Sequence, residues 1–420
     1  MIQTISLYPG VTLRCFPDTR FKQGTLTVQF LRQMSREEAS LNALLPAVLL
    51  RGCENAPDMR SITAKLDDLY GASVGTLVRR VGDHQTTGLA CGFMEDAYAL
   101  EGDAILAPMV DFLRQLLLEP VLEGDAFCAD YVESEKKNLI SAIESTLNNK
   151  RAYANAQLLK AMCKADSFGI PQFGEPEQVA AITPQSLYDH YRKVLRTSPV
   201  NLFYVGSAQP EQVAALLKPV FAALDHQHQS LPEQTGFHQC PGSDTSQVMN
   251  VAQGKLCMGY VTDITLRHPD FAAMQVMNTV LGAGMTSKLF MQVREKMSLC
   301  YDIGSAYHGS KGIVLVGAGI DFDQEQNVRR EVEHQLQLCR DGEISPEELE
   351  AAKEQLQSQL TAIHDAPNSI ENYYSTGVLS GLNMDPGRYC AAVKAVQTED
   401  VSRAARSLGL HSVFFLRGEA

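Results

Sequence analysis

Two stretches of this chain repeat one pattern, and that repetition limits the folds open to it. Residues 180–206 (AAITPQSLYDHYRKVLRTSPVNLFYVG) and 394–418 (KAVQTEDVSRAARSLGLHSVFFLRG) each run from a short apolar lead to a polar helix start, an amphipathic helix and a strand. Pro184 suits a first-turn position, and Glu399 and Asp400 favour the positive end of a helix. Between the two stretches, residues 226–244 are polar, Gln-rich and carry Pro and Gly, which reads as a linker. The expected domains are therefore 1–225 and 245–420. Strand-like segments at 25–31, 74–81 and 84–93 precede helical ones at 104–118 and 130–162. The second half repeats the theme, with strands at 255–262, 303–308 and 312–321 and helices at 270–281, 325–339 and 345–364. Hairpin-like strand pairs alternating with long helices predict an α+β fold. It would consist of two homologous-looking α/β sandwich domains, each a mainly antiparallel sheet covered by helices.

Length and charge narrow the function classes. A chain of 420 residues exceeds one ordinary core. A net charge of −13 with no long basic run argues against nucleic acid as a partner. No run of about 18 apolar residues exists, so no membrane span is expected. The opening MIQTISLYPGVTLRCF has no basic-then-apolar pattern, so it does not read as a signal peptide. The ten cysteines form no Cys-x-x-Cys pair and read as reduced thiols of a cytoplasmic protein.

The run 41–50 places Leu41, Leu44, Leu45, Val48 and Leu49 on one helix face. Ala43, Pro46 and Ala47 occupy the intervening positions, and Pro46 predicts a helix that begins late or kinks. Further landmarks are MRSITAKLDDLYG at 59–71 followed by two strands, Leu139-Ile140-Ser141-Ala142-Ile143, Asn148-Asn149-Lys150-Arg151-Ala152-Tyr153, FGIPQFGEPEQVAAITPQSL at 168–187 and SKLFMQVREKMSLCY at 287–301. In order and content they resemble the insulinase/pitrilysin/mitochondrial-processing-peptidase family of zinc metallopeptidases, in its bacterial zinc-less branch. The resemblance implies LuxS/processing-peptidase-like sandwich domains.

In active members of that family, positions 43–47 would read His-x-x-Glu-His, and a later helix would add a glutamate ligand. Here Ala43 and Ala47 carry no donor atoms and Pro46 carries no carboxylate. Ser141 and Ala142 stand at the acidic positions, with Glu144 close by in sequence but roughly 160° around the helix from Ala142. No metal ligands are therefore expected on this chain, and zinc is expected only on a partner. Arg294 and Tyr301 match a family pair that hydrogen-bonds the substrate backbone near the scissile carbonyl. The resemblance thus implies a non-catalytic subunit, paired with an intact zinc-bearing relative as a heterodimer or with itself as a homodimer. It would bind unfolded peptide along an edge strand at 71–78, preceded by Tyr70. A structural or peptide-binding scaffold is the alternative, and a self-sufficient zinc peptidase with an unrecognised metal site is the second. The polar cluster His226, His228, His238 and Cys240 reads as a solvated loop, and His364-Asp365 as charge pairing at a helix end.

Overall fold

The computed structural model describes residues 2–222, 224, 227, 229–382 and 384–418. The chain forms two compact units. Unit 1 comprises Met1–Glu144, Ile170–Glu233 and His364–Thr376; unit 2 comprises Ser145–Gly169, Gln234–Ile363 and Gly377–Ala420. Unit 1 contains strands β1 (Gln3–Tyr8), β2 (Val11–Pro17), β3 (Gln23–Gln33), β4 (Ser73–Val81), β5 (His84–Met94) and β6 (Val200–Gly206), in the sheet order β1-β2-β6-β3-β5-β4. Unit 2 contains β7 (Asp244–Val248), β8 (Gly254–Val261), β9 (Asp302–His308), β10 (Ile313–Ile320) and β11 (Gly409–Arg417), in the order β9-β10-β8-β11-β7.

These orders are one topology used twice. β6 runs parallel to β2 and antiparallel to β3, as β11 runs parallel to β7 and antiparallel to β8. β5 pairs antiparallel with both β3 and β4, as β10 does with β8 and β9. The repeated junctions of the sequence end in β6 and β11, which are equivalent interior strands. β6 is buried along its whole length, as an interior strand covered on both faces must be. The fold is thus α+β, built from two sheets of mainly antiparallel strands.

The helices that position the site are α1 (Ala39–Leu49), α2 (Met59–Asp68), α3 (Ala129–Ser145), α4 (Lys150–Met162), α5 (Pro184–Thr197), α6 (Phe271–Leu281), α7 (Pro367–Ser380) and α8 (Thr398–Arg406). The continuous helix expected at 130–162 is two helices. A one-turn 3₁₀ segment at Thr146–Asn148 ends the first, and the Asn149 side chain accepts the Ala152 N–H to start the second. The break has a large consequence. α4 joins the unit 2 sheet, where Ala154, Leu158 and Met162 pack with Cys257, Leu315, Phe414 and Leu416. Spacing of four residues puts those three side chains on one face. Reciprocally, the first turns of α7 join unit 1, where Ile370 and Tyr374 pack with Phe16, Phe203 and Val205. Each unit therefore contains a helix from the other half of the sequence.

Charge fixes both helices to the outer strand of the sheet they join. On unit 1, Arg79 of β4 pairs with Glu371 of α7 at 2.8 Å, and Gln29 donates to the same buried carboxylate at 2.6 Å. On unit 2 the polarity is reversed: Arg151 of α4 pairs with Asp302 of β9 at 2.5 Å. Beyond the end of α4, Asp166 meets Lys311 at 2.9 Å with both side chains fully buried. Asp166 also accepts the backbone N–H groups of Phe168 and His238. Removing one partner of such a pair strands a buried charge. Asp166→Ala is expected to destabilise the protein by roughly 3–5 kcal/mol. The double variant Lys311→Met/Asp166→Asn should lose less, because it leaves no charge unpaired. Urea denaturation of the three proteins checks this; equal losses in both variants would count against it.

Candidate functional site

α1 buries Leu44, Leu45, Val48 and Leu49 in the unit 1 core, with Leu41 packed at its margin. The remaining positions carry the interest. Ala43 is buried and Ala47 half-buried, and each presents only a methyl group. α1 does not begin late at Pro46: it starts at Ala39 and runs through the proline. Proline has no N–H to donate to the carbonyl four residues back, which is that of Asn42. The Thr87 hydroxyl of β5 donates to that carbonyl instead, at 2.7 Å. A strand side chain thus supplies the bond that the helix lost.

The Asn42 side chain ties the same helix to a buried polar chain. It donates to Gln85 Oε1 at 2.9 Å, and its own oxygen lies 2.7 Å from His190 Nε2. Gln85 donates in turn to the carbonyls of Ala39 and Gln172. Burial pushes the His190 imidazole down to about 4, against an opposing pull from Glu38, while Arg32 and Lys193 push in the same direction as burial. His190 is thus a neutral N–H donor locking α5 to α1. The unfolded chain takes up a proton at His190 as pH falls through 6.5, and the folded chain does so only near 4. The stabilisation is complete above pH 6.5 and erodes between there and pH 4, by up to roughly 3 kcal/mol. His190→Gln keeps a donor and loses the titration. Urea midpoints at pH 7.5 and pH 5 should therefore shift less in that variant than in the wild type; equal shifts would refute the assignment.

Zinc of the peptidase type does not fit these residues. It needs three protein ligands and an open position. Ala43 and Ala47 have no nitrogen, Pro46 no carboxylate, and Ser141 and Ala142 lie exposed on α3 with no carboxylate between them. Among the described residues, no group of three His, Cys, Asp or Glu side chains could hold a metal ion. His226 and His228 of the linker cluster lie outside the described residues. His238 lies 3.7 Å from Asp166, and the Cys240 thiol donates to the Met162 carbonyl. His364 sits in a single 3₁₀ turn, its ring against Phe16 and its carbonyl accepting from Arg20.

Arg294 and Tyr301 both belong to unit 2, Arg294 within an unusual segment and Tyr301 just beyond it. Leu289–Lys296 is a π-helix, at the place where unit 1 has the regular helix α2. The wider helix is followed by Ser298 with φ of 50°, a left-handed conformation that only glycine adopts freely. π-helices and strained residues cluster at functional sites. Arg294 lies over the Phe290 ring at 4.7 Å and pairs with Glu295 at 3.4 Å. Tyr301 is 61% exposed, and its hydroxyl donates to Asp321 at 3.2 Å. That carboxylate holds the phenol above its ordinary range, so Tyr301 stays a proton-bearing donor. The two side chains make separate contacts, and both remain accessible.

The segment expected to pair with peptide is an edge strand. β4 lies at the end of the unit 1 sheet, entered through Tyr70 and Gly71 with φ of 61° and 72°. The Val78 carbonyl accepts from Gln172 at 2.7 Å, so Val78 turns its backbone groups away from β5. Alternation then turns those of Val74 and Thr76 the same way. Among the described residues nothing pairs with the outward groups of these two. The sequence reading gave no role to Arg151, Phe290 or the Asn42–His190 chain. Glycines at 304 and 317 within strand patterns were the available signal of a close approach there.

Residues 181–356 match the family described as "Peptidase M16 inactive domain". The "Probable inactive metalloprotease YmfF" of Bacillus subtilis (strain 168) is 27% identical over 413 residues, covering 98% of this chain and 97% of the relative. A solved conserved protein from Enterococcus faecalis V583 aligns over 100% of this chain and 99% of its own, with a TM-score of 0.91 and 28% identity. A peptidase M16 inactive domain from Pseudomonas fluorescens shares the fold at a TM-score of 0.82 and 17% identity, covering 100% and 98% of the two chains.

Proposed function

We propose that this chain, a homologue of M16-family metalloproteases, serves in the cytoplasm as the non-catalytic subunit of a heterodimeric zinc peptidase. In this reading it binds unfolded peptide along β4 and supplies Arg294 and Tyr301 to the zinc site of an intact relative. One observation carries the proposal: every donor is gone at positions 43, 46 and 47, while Arg294 and Tyr301 remain exposed on a strained segment. A guanidinium and a phenol both donate to a carbonyl oxygen as it gains negative charge. They cannot activate water, so the hydrolytic step belongs to the partner. Among the described residues, no helix is long and apolar enough to cross a membrane.

Peptide would reach β4 by strand addition, in which backbone bonds give affinity and alternate side chains give specificity. Gly75 suits this, because a Cβ there would meet nothing within 4 Å.

The test mixes this protein with a relative that carries an intact His-x-x-Glu-His. Peptidase activity is expected to rise on mixing. Arg294→Ala and Tyr301→Phe should each lower kcat of the mixture by roughly 100-fold, the usual effect of losing one oxyanion donor. Size-exclusion chromatography should show the variants still bound to the partner. Full activity in both variants would end the proposal. Metal analysis of the purified chain alone should find no stoichiometric zinc.

A further inference from the structure

Unit 2 has a cavity of about 500 Å³ that the proposed function does not use. Its size lies within the range of ligand pockets, roughly 300–1,000 Å³. α4 covers the middle of the unit 2 sheet, and the floor of the cavity is the outer strand pair, β9 and β10. Gly304 and Gly317 face each other directly in that pair, with Ala306 opposite Leu315 one step further on. Arg151 and Asn155 of α4 form one wall. The segment 282–285 and Phe290 form the other.

The two glycines lie beneath the Arg151 side chain. A Cβ on Gly317 would lie 3.6 Å from both Arg151 Nε and Asn155 Oδ1. A Cβ on Gly304 would lie 3.5 Å from Arg151 Nη2. These are ordinary contact distances, so the guanidinium lies directly against the strand pair. Asp302 fixes one end of it at 2.5 Å, and the Gly317 carbonyl accepts from the other at 3.4 Å. The side chain is still 42% exposed, so one face of the cation stays open. Opposite stand Met285, which is 76% exposed, and Phe290.

A fixed planar cation stacks on aromatic faces, a thioether packs against ring edges, and a phenyl ring pairs edge-to-face with another ring. All three preferences name the same kind of guest. We propose that this cavity receives an aromatic side chain of an extended peptide. The proposal rests on the peptide-binding reading above and adds a specificity pocket to it. Phe290 links the two, since its ring also carries the Arg294 guanidinium.

Two fluorescein-labelled, unstructured decapeptides test the assignment, identical except for a central Phe or Gly. Fluorescence anisotropy with the full chain should show the Phe peptide binding about tenfold more tightly. Gly317→Val and Ala306→Ile each fill the cavity from the floor with residues that suit strands. Either should bring the Phe-to-Gly ratio to about one, with thermal melts confirming that the variants fold. A ratio near one in the wild type, or one that persists in both filled variants, overturns the pocket and leaves peptide binding standing. Failure of the wild type to bind either peptide overturns both.

Discussion

The Asp166–Lys311 pair holds the part of this structure on which most of the rest depends. Both charges are fully buried, which is tolerable only because each is paired and Asp166 also accepts two backbone N–H groups. The pair anchors the chain just beyond α4 to the turn between β9 and β10. Arg151 and Asp302 anchor the opposite end of α4 to the start of β9. The helix is therefore fixed at two points over the unit 2 sheet. That placement leaves β9 partly uncovered and creates the cavity beside it. The apolar contacts of Ala154, Leu158 and Met162 supply burial, but they would allow α4 to slide. The two ion pairs set its register.

α1 shows how a helix can carry an interior proline and keep its place in the fold. Proline in a helix interior ordinarily costs about 3 kcal/mol through a lost bond and a steric clash. Here the Thr87 hydroxyl satisfies the orphaned Asn42 carbonyl, and the Asn42 side chain is held by Gln85 and His190. α1 thus keeps its place between β5 and α5 through polar bonds contributed by its neighbours. With only methyl groups at 43 and 47 and a proline ring at 46, the helix still packs in the unit 1 core.

Much of this was legible in the sequence, for identifiable reasons. The period of the apolar residues gave α1 its buried face, and the repeated helix-strand junctions exposed the duplication through β6 and β11. The edge position of β4 was implied by the family resemblance of the stretch 59–71, and its residue pattern alone fits any sheet strand equally well. The exchange of α4 and α7 was not legible, because an apolar stripe at 154, 158 and 162 fits either sheet equally well. Only long-range pairs such as Asp302 with Arg151, 151 residues apart, decide between them. The break at 146–149 was signalled by a capping asparagine within an otherwise helical stretch, and that local cue was outweighed by the flanking periodicity. The π-helix left no signature, since LFMQVREK has an ordinary helical composition.

The duplication also explains why the two units would not do the same work. β4 and β9 are equivalent edge strands, but their edges differ. In unit 2 the Ser305 N–H already donates to the Gly282 carbonyl at 2.9 Å, so the middle of β9 is capped by its own loop. In unit 1 only the far end of β4 is occupied, by Gln172 at Val78. Among the described residues, the edge of unit 1 is therefore open at Val74 and Thr76, while the middle of the unit 2 edge is closed. Unit 2 has instead the cavity beside β9, the proposed seat of a side chain. Backbone pairing is indifferent to sequence, and a pocket is not. Under the proposed function, the two copies of one topology would divide holding a peptide from reading it.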